Sequence, residues 1–85
     1  MIIISPHAEA ELIRRSIPLE LVLSVLNAPE QELPAGRDRV VRQSRVLFPN
    51  GKRYLLRVVI EVRGGDFTVV TIYRTSRITK YWRSK

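Results

Sequence analysis

The sequence predicts a single α+β domain, residues 1–85, in which a helical hairpin covers one face of a four-stranded, largely antiparallel sheet. Three observations carry this expectation. Apolar residues recur at helical spacing up to Asn27 and at a period of two from Arg39 onward. Two turn sequences, Asn50-Gly51 and Gly64-Gly65-Asp66, cut the second part into three strands. A chain of 85 residues is long enough for one modest core.

Met1 to Ile4 reads as a short buried strand, because three successive isoleucines favour a pleated core. Ser5-Pro6 opens a helix, with Ser5 as N-cap and proline in the first turn, where its missing N–H costs nothing. Glu9 and Glu11 suit the positive end of the helix dipole, Arg14 and Arg15 the negative end, and the helix is expected to stop near Ser16. Pro18 opens a second helix with Leu19, Val22, Leu23 and Leu26 on its buried stripe, closed by Asn27-Ala28-Pro29. Residues 28 to 38 read as a polar connector with two prolines and a glycine.

The strands follow. Arg39 to Phe48 places Val40, Val46 and Phe48 on one face and Val41 and Leu47 on the other. Tyr54 to Val62 has an apolar face of Tyr54, Leu56, Val58, Ile60 and Val62, and a mixed face that includes Leu55, Arg57 and Val59. In the strand Phe67 to Tyr73, Phe67, Val69, Thr71 and Tyr73 are expected to share a face, opposite Val70 and Ile72. Thr75-Ser76 then caps a short C-terminal helix docked by Ile78 and Trp82, giving the order β-α-α-β-β-β-α.

Charge is unevenly distributed. The net charge is +7, but residues 1–36 hold five acids and two bases (−3), and residues 37–85 hold three acids and thirteen bases (+10). A field of this kind draws polyanions, nucleic acid above all, or an acidic protein. With no cysteine there is no disulfide, thiol nucleophile or zinc knuckle, and the single His7 leaves few ligands for a catalytic metal. No cofactor is expected. The apolar start is cut short by Ser5-Pro6 and lacks a basic flank, so no signal peptide or membrane span is expected, and the expected location is cytoplasmic.

No phosphate-cradling glycine loop, close carboxylate pair or nucleophile elbow is present, which sets aside nucleotide hydrolases, glycosidases and serine hydrolases of familiar design. A basic surface with aromatics remains. Metal-free RNA cleavage asks for little more: a proton acceptor for the 2′-OH, cations for the phosphoryl charge and an acid for the 5′-oxygen. Arg74, Arg77, Lys80 and Tyr81 supply those groups within eight residues, and on a helix Arg77 and Tyr81 share a face. Arg42, Arg45 and Arg57 on neighbouring strands, with Arg83, extend the surface along an RNA backbone. His7 is the one side chain that ordinarily titrates near neutrality. The plainer reading of the same residues is a solvated basic end, with Trp82 and Tyr81 as docking aromatics and Arg14 and Arg15 as surface charges.

Ser5-Pro6-His7-Ala8, then Arg14-Arg15-Ser16-Ile17-Pro18, the helix ending Leu26-Asn27-Ala28-Pro29 and the terminal VVTIYRTSRITKYWR together resemble the domain-of-unknown-function 4258 family. That family looks like a branch of the RelE/ParE superfamily of small bacterial toxins, and the resemblance covers nearly the whole chain. It implies the toxin of a type II toxin–antitoxin system, an mRNA endoribonuclease that uses basic residues and a C-terminal tyrosine, where Arg74, Arg77 and Tyr81 stand here. It also implies an acidic antitoxin as partner. Two alternatives stay open: a gyrase poison on the same fold, and a nucleic-acid-binding module without catalysis.

Overall fold

The computed structural model describes residues 2–84 of the chain; Met1, expected in the first strand, and Lys85, read as solvated, lie outside the described residues. In chain order the elements are β1 (Ile2–Ile4), α1 (Pro6–Arg14), α2 (Leu19–Asn27), β2 (Gln31–Pro34), β3 (Arg39–Leu47), β4 (Arg53–Arg63), β5 (Asp66–Thr75) and α3 (Ile78–Tyr81). The sheet has five strands in the order β1-β5-β4-β3-β2, parallel between β1 and β5 and antiparallel elsewhere. The fold is therefore α+β with a mixed sheet, one strand larger than expected.

Local chemistry sets the helix ends. The Ser5 hydroxyl accepts from the Ala8 N–H at 3.1 Å, and the Ser5 N–H donates to Val69 O at 3.0 Å, fixing α1 to β5 as it starts. α1 ends at Arg14, slightly earlier than expected, in a Schellman motif. The Ile17 N–H donates to Leu12 O at 2.9 Å and the Ser16 N–H to Ile13 O at 3.2 Å, while Ser16 takes a left-handed φ of 52°. Leu12 and Ile17, the apolar pair of that motif, are both buried. α2 ends before Pro29, and Arg42 Nη1 donates to Leu26 O at 2.5 Å, satisfying one of the carbonyls left over at the helix end.

The main core lies between the two helices and one sheet face. Val22, Val25 and Leu26 from α2 and Ala8 and Leu12 from α1 meet Phe48, Leu56, Val58, Ile60, Val69 and Ile72. The expected apolar faces of β3 and β4 are the ones observed. Each large side chain buried here contributes about 1.5–3 kcal/mol of transfer free energy.

β5 departs from the expected alternation. Its register against β4 shifts between Val59 and Ile60: Val59 faces Thr71, Ile60 faces Val69, and Val70 is left over as a bulge. One extra residue inverts the parity of everything after it. Phe67 and Val69 point to the helices, but so do Ile72 and Arg74, while Thr71 and Tyr73 turn to the opposite face with Arg57. The expectation that Phe67, Val69, Thr71 and Tyr73 share a face is corrected accordingly.

The connector 28–38 also holds more structure than expected. Gln31–Pro34 pairs with Val40–Gln43 as an edge strand, and an edge is where a proline is tolerated. The β3–β4 turn uses Gly51 at φ +83°, a conformation that other residues rarely adopt. No helix among the described residues is long and apolar enough to cross a membrane.

Candidate nucleic-acid interface

The face of the sheet away from α1 and α2 carries a polar layer with Arg57 at its centre. Arg57 Nε donates to Gln43 Oε1 at 2.9 Å and Nη1 to the Tyr73 hydroxyl at 2.5 Å. Its guanidinium carbon sits 4.5 Å from the Tyr81 ring centroid and 5.6 Å from that of Tyr73, and the two rings meet edge to face at 6.5 Å. Two of the five guanidinium N–H groups are thus fixed by neutral acceptors, and among the described residues no carboxylate lies within ion-pair distance. The remaining donors, on a half-buried and oriented cation, suit a phosphate.

Gln43 organises this layer. It is 0% exposed, and every polar atom of its amide is engaged: Nε2 donates to Gln31 Oε1 at 2.7 Å and to Tyr81 O at 3.2 Å, and Oε1 accepts from Arg57. Gln31 in turn holds Arg83 by both backbone groups, donating to its carbonyl at 2.8 Å and accepting from its N–H at 3.1 Å. Two side-chain amides therefore fasten residues 81–83 across the sheet as a strand would be. Arg45 adds a stack on Trp82, 4.1 Å from the ring centroid, while Glu30 grips its other side at 2.9 Å. Beneath this cover Val41 and Leu55 are buried outside the main core.

The nine side chains singled out from the sequence do not gather in one place. Arg45, Arg57, Tyr81 and the backbone of Arg83 come together in the polar layer, with Lys80 Nζ 5.3 Å from the Tyr81 ring. Arg74 lies on the helix face, in register with Leu56 and stacked on Phe48 and Tyr54. Arg77 is exposed at the corner between β5 and α3, its N–H donating to Thr75 Oγ1 at 3.0 Å. It precedes the single turn of α3, so the shared helical face with Tyr81 is not formed, and neither Thr75 nor Ser76 caps that turn.

Arg42 lies on the helix face too. It is committed to Glu32 at 2.7 Å, to Leu26 O and to the Phe67 ring, and so does not continue the surface of Arg45 and Arg57.

His7 stands apart from these groups, exposed on α1 with Nε2 3.7 Å from Glu11 Oε1. Glu11 itself is only 8% exposed and receives Arg14 Nη2 and Arg15 Nε at 2.6 Å. Those hydrogen bonds, from Arg14 first and then Arg15, hold its carboxyl at about 2, well below the ordinary value. Glu30 is lowered as well, chiefly by its bond from the Arg45 side chain.

The ion pairs sort the cations. Arg14, Arg15, Arg39, Arg42, Arg45 and Arg63 have carboxylate partners. Among the described residues Arg37, Lys52, Arg53, Arg57, Arg74, Arg77, Lys80 and Arg83 have none; apart from Arg37, in the turn between β2 and β3, they lie on β4, on β5, in the turn before β4 or in the segment that follows β5. Among the described residues no pocket is enclosed there.

Gln31, Gln43 and Tyr73 were not singled out as site residues. Gln43 alternates in phase with Val41 and Arg45, a polar residue in an otherwise apolar and basic strand, and that mismatch was the available signal. Comparisons with protein-family models, curated proteins and solved structures returned no match.

Proposed function

We propose that this protein acts on RNA as the toxin of a type II toxin–antitoxin pair, a RelE/ParE-like endoribonuclease that needs no metal. One observation carries the proposal: Arg57 is held by neutral partners beside two phenols, with no carboxylate among the described residues to neutralise it. The sequence resemblance points the same way. In the reaction, the 2′-oxygen attacks the adjacent phosphorus as its proton passes to a base. The bond to the 5′-oxygen breaks, and that oxygen takes a proton, leaving a cyclic phosphate and a 5′-hydroxyl. Arg57 stabilises the phosphoryl oxygens, where a fixed cation is worth most. Tyr81 with Lys80, and Tyr73 through its hydroxyl, are the proton-transfer candidates closest to it. The basic face is also the surface that an acidic antitoxin would cover.

The test is controlled induction of the wild type against Arg57→Ala and Tyr81→Phe, following growth and RNA integrity, together with cleavage by the purified proteins. Growth arrest with RNA breakage, both lost in Arg57→Ala, is the expected result. Arrest that persists with intact RNA and damaged DNA would instead favour the gyrase-poison reading. Salt-sensitive RNA binding without product would leave a binding module.

A further inference from the structure

We infer that a single RNA strand follows the 74–81 segment around the end of the sheet, from a second phosphate site at Arg74 to Arg57 on the opposite face. The inference rests on the RNA-acting reading and extends it to a site that lies outside the polar layer. The Arg74 guanidinium carbon is 4.8 Å from the Phe48 ring centroid and 4.7 Å from that of Tyr54. These rings stand 5.1 Å apart at 81°, so the cation sits in a corner made by two aromatic walls. Stacking holds a guanidinium flat and leaves its N–H edges outward.

Arg42 and Arg45 also stack on rings, but each has a carboxylate on its donors. Arg74 has neither an ion-pair partner nor a side-chain hydrogen bond among the described residues, so its donors are available to an anion.

The path between the two arginines is continuous. After Arg74 the chain leaves the helix face, turns at Thr75–Arg77, forms α3 and delivers Tyr81 onto Arg57. Arg77 and Lys80 lie along that crossing, both exposed and both without a carboxylate partner among the described residues. A line of unpaired cations punctuated by aromatic rings is the pattern of a single-strand track. A duplex is too stiff to turn round the end of a sheet.

The experiment measures binding of 2′-O-methyl oligouridine, which cannot be cleaved, by wild type, Arg57→Ala, Arg74→Ala and Arg74→Lys at several salt concentrations. Oligomers of about 3 and about 12 nucleotides are compared, one shorter than the usual span of a single-strand site and one within it. Arg74→Ala should bind the short oligomer as the wild type does. For the long one its salt slope should fall by about 0.7, the share of one phosphate contact. Arg74→Lys keeps the charge, and should keep the slope while losing affinity. If Arg74→Ala leaves the long oligomer unaffected, or weakens both lengths equally, the track is refuted. The same holds if polyglutamate competes as well as RNA of equal charge. Failure of the wild type to bind either oligomer in a salt-dependent way would instead overturn the RNA-acting reading itself.

Discussion

Replacing Gln43 by methionine isolates the contribution of the polar layer, because methionine is unbranched and close to glutamine in length. The substitution removes three hydrogen bonds made by a side chain with 0% exposure. The two bonds to neutral oxygens are worth about 1 kcal/mol each, and the bond from the charged Arg57 about 2 kcal/mol. Gln31 and Arg57 are half-buried and regain part of this from water, which leaves a net loss of about 2–3 kcal/mol. In a domain of this size each kcal/mol moves the midpoint by about 4–8 °C, so thermal unfolding should fall by about 10–20 °C. The single tryptophan gives a local readout, because Trp82 belongs to the segment that Gln43 and Gln31 fasten. Its emission should move to longer wavelength at temperatures where the far-ultraviolet signal is still native. A shift in midpoint of less than about 3 °C with unchanged emission would refute the claim that these amides hold the C-terminal segment in place.

Glu11 carries a pH dependence of defined sign. Its carboxyl is held at about 2 against an ordinary value of 4.5, so its contribution is complete above 4.5 and is lost as pH falls toward 2. Glu11→Gln should therefore be less stable than the wild type at neutral pH, with urea midpoints that converge as pH falls; a constant gap would contradict the assignment. In the main core, Leu56 is fully buried between β4 and the helices, and Leu56→Ala should cost about 2–5 kcal/mol in chemical denaturation, with a loss under about 1 kcal/mol arguing against tight packing there.

The places of α1, α2 and the two hairpin strands were legible because each depends on signals close together in sequence, but Leu19 and Leu23 of the expected α2 stripe are exposed while Val25 is buried, and Ile2 and Ile3 of the expected buried strand are exposed at the sheet edge. Ser5-Pro6 specified its own cap, and Asn50-Gly51 specified its own turn. β2 was missed because Gln31-Glu32-Leu33-Pro34 has almost no apolar content, and its strand character comes from pairing with β3. The bulge at Val70 was hidden for a different reason: Thr68, Val69, Val70 and Thr71 are all β-branched, so either phase of alternation fits the residues equally well. That one ambiguity determined the candidate site. It exchanged the faces of the two neighbours, placing Arg74 with the helices and Tyr73 with Arg57. Glu11 read as a dipole partner; only packing revealed it as a nearly buried carboxylate anchored by both neighbouring arginines.

The parallel pairing of β1 with β5 gives the chain an order of assembly. Ile2–Ile4 finds its partner in Phe67–Val69, across almost the full length of the molecule. Closing so large a loop is entropically slow, and contacts of this range are formed late. The β3–β4 hairpin and the pairing of β4 with β5 join near neighbours and can form first. β1 and the α1 start tied to Val69 must wait for β5, as must the 78–83 segment that completes the polar layer. The polar layer around Arg57 is therefore completed only as the fold closes, after the central strands have paired.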